Sequence, residues 1–213
     1  MRLGMAALIV TLLAGGACGS SSSTTAPSSS SPAPSTSAPN PANPVTTSSL
    51  TLMLKDSPFS DAKALLVTFS EVNVHAAGGA WVTVPFAAGG TSRTCDLKKL
   101  ETAQDILGVG SLPAGHYTQL RLVVSSAALY FQNASSGTAC APAIAPPAGT
   151  TASVDVPSGE LKLNREFDLA SSGGTRILLD FDGDQSVRQT GNANAKNGVR
   201  YMMTPVISIV SVQ

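Results

Sequence analysis

The chain is poor in charge, in aromatic rings and in histidine, and each shortage closes off a class of function. Thirteen basic residues balance thirteen acidic ones, so there is no basic surplus to meet nucleic acid. Only two histidines are present, His75 and His116, and no H-E-x-x-H, G-x-S-x-G or phosphate-loop pattern accompanies them. The familiar zinc, acyl-transfer and nucleotide chemistries therefore have no foothold. No apolar run reaches the roughly 20 residues of a membrane-spanning helix. No stretch carries a sustained helical stripe, and the chain has no internal repeat.

What is present is sharply segregated. Arg2 is the only charge before Lys55. Residues 3–14 are almost wholly apolar, and Gly15, Gly16 and Ala17 follow. A basic start, an apolar middle and small residues at the cut form the layout of an export signal. The stretch Leu13-Ala14-Gly15-Gly16-Ala17-Cys18 resembles a bacterial lipobox, with Gly15 where that motif prefers Leu. The resemblance implies that residues 1–17 are removed and that Cys18 is acylated, anchoring the chain in a lipid bilayer. Two or more acyl chains give stable anchoring where one does not, at about 0.8 kcal/mol per buried methylene. Gly19, in place of an aspartate, implies the outer membrane or cell surface. The alternative is a plain signal peptide, with Cys18 incidental.

Residues 18–49 read as a disordered tether. Between Gly19 and Ser49 there are 12 Ser, 5 Thr and 6 Pro, with no charge and no aromatic. Such a segment cannot bury enough apolar area to offset the entropy of ordering it. Its expected reach is on the order of 30 Å.

Residues 50–213 carry the periodicity of a folded domain. Leu50, Leu52 and Leu54 alternate with Thr51, Met53 and Lys55, the pattern of a half-buried strand. A second strand spans 64–75. Leu65, Val67 and Phe69 share one parity there and Val72 and Val74 the other, which predicts a bulge near Ser70–Glu71. Gly78-Gly79 turns the chain into a hairpin partner at 81–84. Residues 98–107 are the best place for a short helix. After Pro113-Ala114-Gly115, Leu120, Leu122 and Val124 face one way, and Tyr117, Gln119 and Arg121 the other. Shorter strands follow near Val154, Leu161–Leu163 and Phe167–Leu169. Ile177, Leu179 and Phe181 then point inward, opposite Leu178, Asp180 and Asp182. A polar loop at 189–198 precedes a last strand, Tyr201 to Val212. Seven to nine strands with regular turns predict an all-β fold, a single antiparallel β-sandwich.

Three groups of residues are candidates for chemistry. Cys95 and Cys140 form an even pair that predicts a disulfide in an exported chain, the alternative being two free thiols. Asp180, Asp182 and Asp184 form the densest acidic run, which Asp56 could join; oxygen-rich clusters suit calcium. The spacing is not that of an EF-hand, and the competing use is acceptance of backbone or arginine hydrogen bonds, with Gly183-Asp184 in a turn. Trp81, Tyr117, Tyr130 and Tyr201 could make a sugar-binding platform or serve the core. Asp56 sits in Leu54-Lys55-Asp56-Ser57-Pro58. That stretch is followed in order by Glu71-Val72-Asn73-Val74-His75, Asp96-Leu97, Leu112-Pro113-Ala114-Gly115-His116-Tyr117, Val156-Pro157-Ser158-Gly159 and Leu179-Asp180-Phe181-Asp182.

In this order the motifs resemble those of domain of unknown function 4382, whose TDAP signature reads here with Lys55 for Thr and Ser57 for Ala. The resemblance covers residues 50–212. It implies a β-sandwich module of the cell envelope, often carried by lipoproteins, and supplies no activity. The reading it joins is a non-enzymatic, membrane-anchored lipoprotein that presents a binding, adhesion or scaffolding module to an envelope protein or polysaccharide. A second reading is a calcium-stabilised carbohydrate-binding module centred on Trp81. A third, a metal-dependent hydrolase, needs a pocket gathering Asp180, Asp182 and a histidine.

Overall fold

The computed structural model describes residues 45–57, 62–191 and 199–213. The expected export signal, Cys18, most of the tether, Pro58 and most of the 189–198 loop lie outside the described residues. The first strand is β1 (Thr47–Ser57), followed by β2 (Ala64–Ala76), β3 (Trp81–Thr83) and β4 (Arg93–Asp96). A single helical turn, α1 (Leu97–Leu100), leads to β5 (Asp105–Pro113), β6 (Gly115–Tyr130) and β7 (Cys140–Ala141). Then come β8 (Thr151–Asp155), β9 (Glu160–Leu163), β10 (Phe167–Leu169) and β11 (Gly174–Asp182). A second turn, α2 (Gly183–Ser186), precedes β12 (Val187–Thr190), β13 (Arg200–Met203) and β14 (Val206–Val212).

These strands make two sheets that enclose one main core, a sandwich-like all-β fold. The smaller sheet has the order β14-β11-β1-β5. Its inner face is the alternating set read from the sequence: Leu50, Leu52 and Leu54 of β1 and Ile177, Leu179 and Phe181 of β11, all fully buried. The larger sheet is built on the long antiparallel pair β2–β6, with β4 on one side and β8, β9 and β10 on the other.

The β2–β6 ladder departs from regular register in a way that serves the core. Phe69 pairs with Val124 and Glu71 with Val123, so Ser70 is an extra residue on β2. Thr68 pairs with Ser126, so Ser125 is an extra residue on β6. Each extra residue switches which parity of side chain faces inward. Leu65, Val67, Phe69, Val72 and Val74 are consequently all buried, as are Leu129, Ala127, Val124, Leu122 and Leu120. The bulge read at Ser70–Glu71 is therefore present. A third irregularity, at Thr118, was not read from the sequence. It turns Tyr117 inward, away from the face of Gln119 and Arg121. Tyr117 is 1% exposed, stacks on Phe167 and donates its hydroxyl to Pro113 O at 2.8 Å.

Other expectations need revision. The described strands number fourteen, and two pairings, β1–β11 and β13–β8, are parallel. Alternation with one buried face looks the same in either orientation, so the local pattern could not separate them. The domain begins at Thr47, three residues before Leu50. The helix expected at 98–107 is one turn only, because Asp105, Ile106 and Leu107 belong to β5, and Asp105 and Ile106 pair with β1. The last strand is two, separated at Thr204-Pro205; β13 joins the large sheet and β14 the small one.

The expected disulfide is formed. Cys95 and Cys140 lie opposite each other on β4 and β7, with an S–S distance of 2.07 Å. Beside it, buried Arg93 donates to Ala87 O at 2.9 Å and pairs with Asp105 of β5 at 3.4 Å. Asp105 also accepts the Cys140 N–H at 2.8 Å, which ties the disulfide strand to the other sheet. Asp96, fully buried, is a second junction. Its carboxylate accepts the N–H groups of Leu65 and Lys98, each at 3.1 Å, and the Ser135 hydroxyl at 2.5 Å. It thereby caps α1 and pins the start of β2 and the Cys140 loop.

Two stability predictions follow from these junctions. The bridge closes a loop with a sequence separation of 45, so the Cys95→Ala/Cys140→Ala pair should lose about 2–4 kcal/mol in urea unfolding. Asp96→Ala leaves two backbone donors without their acceptor, and each buried unsatisfied donor costs roughly 1–3 kcal/mol. Asp96→Asn, which keeps one acceptor oxygen, should lose less in the same assay.

Candidate ligand-binding face

The acidic run is spread over separate tasks. Asp180 stands on β11 opposite Lys55 of β1, and the two form an ion pair at 2.6 Å. Asp182 caps α2, accepting the Gln185 backbone N–H at 2.9 Å and its side-chain amide at 2.5 Å. Asp56 is buried and accepts the Gly183 N–H at 3.0 Å. Asp184 is exposed in the first turn of α2. Among the described residues no three His, Cys, Asp or Glu side chains gather as a metal site would require. Neither histidine joins the aspartates: His75 bonds Thr118 and His116 bonds Asp168. An open cleft of about 470 Å³ lies beside Lys55 and Asp56, with Glu101, Thr102 and Gln104 on its other wall.

A different constellation forms on the outward face of the large sheet. The bulge at Ser70 turns Val72 and Val74 inward, so Glu71, Asn73 and His75 stand on the other face, Glu71 exposed, His75 half-buried and Asn73 only 3% exposed. β3 pairs with this end of β2, placing Trp81 opposite His75 and Thr83 opposite Asn73. On the other side of β2, Arg121 of β6 lies opposite Asn73 and Gln119 opposite His75. β9 adds Lys162 opposite Arg121. Four strands thus bring one aromatic ring and a mixed polar set into a single band.

The band is internally connected. The Arg121 guanidinium lies 4.6 Å from the centroid of the Trp81 ring, a cation–π contact. The His75 ring sits 5.0 Å from Trp81, tilted by 55°. Asn73 donates to Glu71 at 3.0 Å and accepts from Thr83 at 2.8 Å. Glu160 holds Arg121 at 3.6 Å and Lys162 at 3.2 Å. The buried Arg121 Nε has no hydrogen-bond acceptor among the described residues. At the bulge end the band meets a cavity of about 240 Å³, lined by Ser70, Glu71, Thr83, Val84, Pro85 and Phe86. Donors, acceptors and an aromatic surface beside an apolar recess are what a polar ligand with hydrocarbon patches requires.

Of the four aromatics considered for a platform, only Trp81 is here. Tyr117 and Tyr130 are buried, and Tyr201 packs on Phe131 at 5.8 Å. The outward parity of Gln119 and Arg121 was legible in the sequence. Their meeting with Trp81 and His75 was not, because it depends on which strands pair.

The comparisons with known proteins bear on the whole domain. No curated protein and no solved structure matches the chain significantly. The family model described as Domain of unknown function (DUF4382) matches residues 47–205, from the start of β1 to the residue before β14, well over half of the sequence. The chain belongs to the Domain of unknown function (DUF4382) family.

Proposed function

We propose that this protein is a non-enzymatic binding module of the cell envelope, exported and held to a bilayer by acylated Cys18. The tether that precedes β1 sets the domain off the membrane, and the Trp81 face captures a polysaccharide. The observation that carries the ligand assignment is the band itself. Trp81, His75, Gln119, Arg121 and Lys162 mix an aromatic surface with donors and acceptors, and charge of both signs is balanced across them by Glu71 and Glu160, while buried Asn73 ties Glu71 to Thr83 beneath them. A sugar polymer offers hydroxyls and C–H faces at a matching scale, and contacts of this kind tolerate a flat surface. The Cys95–Cys140 bridge supports export, since such bonds persist in oxidising compartments. Calcium has no part in this reading, because the aspartates already serve as an ion-pair partner and as acceptors for backbone N–H groups.

Retention on immobilised envelope polysaccharide checks the ligand. The wild-type chain should be retained and Trp81→Ala released, with an unchanged melting curve showing that the fold survives. Absence of retention, or retention indifferent to Trp81, overturns the assignment. A rise in melting temperature with calcium, reversed by a chelator, would instead give the aspartates a metal-binding role by linkage.

Anchoring is checked separately by fractionating cells. Wild type should sediment with membranes, and Cys18→Ser should move to the soluble fraction or remain unprocessed. Membrane association that survives Cys18→Ser overturns the lipid anchor.

A further inference from the structure

The two edges of the small sheet differ. At the β5 edge, residues 85–87 run alongside. Val109 N–H donates to Pro85 O at 3.0 Å, and Ala87 N–H donates to Leu107 O at 3.1 Å. Gly108 and Gly110 permit this approach, since a Cβ at either would meet Pro85 atoms at 3.0 and 2.8 Å. Beyond β14 no strand lies among the described residues. β14 carries no charge and no proline, two of the devices that usually blunt an edge. It is interrupted at its two ends: Val210 is the extra residue of a bulge, and Val206 is engaged by Ser186, whose hydroxyl accepts the Val206 N–H at 2.8 Å and lies 3.4 Å from the Val206 carbonyl. Val210 is 51% exposed, and Val206 and Val212 are also exposed.

The sequence of this edge identifies its partner. Val206-Ile207-Ser208-Ile209-Val210 reads the same in both directions. Such a strand is its own antiparallel complement. About a twofold axis at Ser208, Ile207 meets Ile209 of the second copy and Ser208 meets itself, with Val206 and Val210 flanking this central pairing. Directly opposed residues share a face. Ile207 and Ile209, which pack against the core, therefore stay on the inner face of both copies. Isologous pairing across a twofold axis is also the commonest form of self-association. Neither strand brings a charge that the other would have to match.

We propose that the protein forms a twofold dimer in which β14 pairs antiparallel with β14 of a second copy, joining two four-stranded sheets into one of eight. The test uses the full-length Cys18→Ser chain, which removes lipid-driven association. Its mass by light scattering should rise from one copy to two with concentration. Val210→Lys, at an exposed position, should weaken the dimer by about tenfold or more while leaving the melting curve of the dilute chain unchanged. Ser208→Cys should be captured as a covalent dimer under mild oxidation, whereas Thr51→Cys, on the outer face of the same sheet, should not. A single-copy mass at all concentrations overturns the proposal. So does a dimer indifferent to Val210→Lys and not captured through residue 208.

Discussion

Two serines with no residue opposite them in the β2–β6 ladder decide which way most of the domain points. Ser70 on β2 and Ser125 on β6 are the extra residues of an otherwise continuous antiparallel ladder. Because strand side chains alternate with a period of two, one extra residue exchanges the faces of everything beyond it. Both strands cross this line within a few residues of each other, so their inward sets stay matched. On one side Leu65 and Val67 face Leu129 and Ala127; on the other Val72 and Val74 face Leu122 and Leu120. The same exchange places Asn73, His75 and Arg121 on the other face. Core and candidate face are thus two consequences of one register constraint.

This constraint also shows what a local pattern reveals. The parity switch at Ser70 was legible because long apolar runs flank it on both sides. The switch at Thr118 was not, since it leaves a single aromatic, Tyr117, and a tyrosine is as much at home on a surface as in a core. The alternation of β1 and β11 was legible, but their parallel union was not, and that union is what delivers Lys55 to Asp180. The sequence therefore places Asp180 and Asp182 on one face of a strand ahead of a turn, while their partners stay hidden. Arg121 and Trp81 follow the same rule: the sequence gives the parity of one and leaves the other between platform and core, and only strand pairing makes them neighbours.

The polar junctions complete the fold where apolar burial cannot. A small turn such as α1 exposes backbone donors that need acceptors, and Asp96 supplies them from a fully buried position. A buried carboxylate is tolerable only when its oxygens are satisfied, and here three donors converge on it. Arg93 and Asp105 do similar work across the gap between the sheets, next to the disulfide. β4, β5 and β7 are short or peripheral strands. They are held less by area than by one covalent bond and a few directed contacts, so damage to these junctions should loosen this corner before it reaches β2–β6.

The two proposals reinforce each other through geometry. The Trp81 band lies on the outward face of the large sheet, whereas β14 belongs to the small one, so pairing through β14 consumes none of the groups in the band. The proposed dimer would therefore present two faces to one polymer. On the proposed reading, a shallow, partly self-satisfied surface would bind a single sugar stretch weakly, because Arg121 and Glu160 would give up part of their own pairing to the ligand. Linking two such faces turns the second contact into an intramolecular one, at an effective concentration set by their separation. Avidity of this kind suits a repetitive ligand and a site that is broad but not deep. It would also give a use to the uncharged edge of β14, which no strand among the described residues covers, whereas residues 85–87 cover the β5 edge.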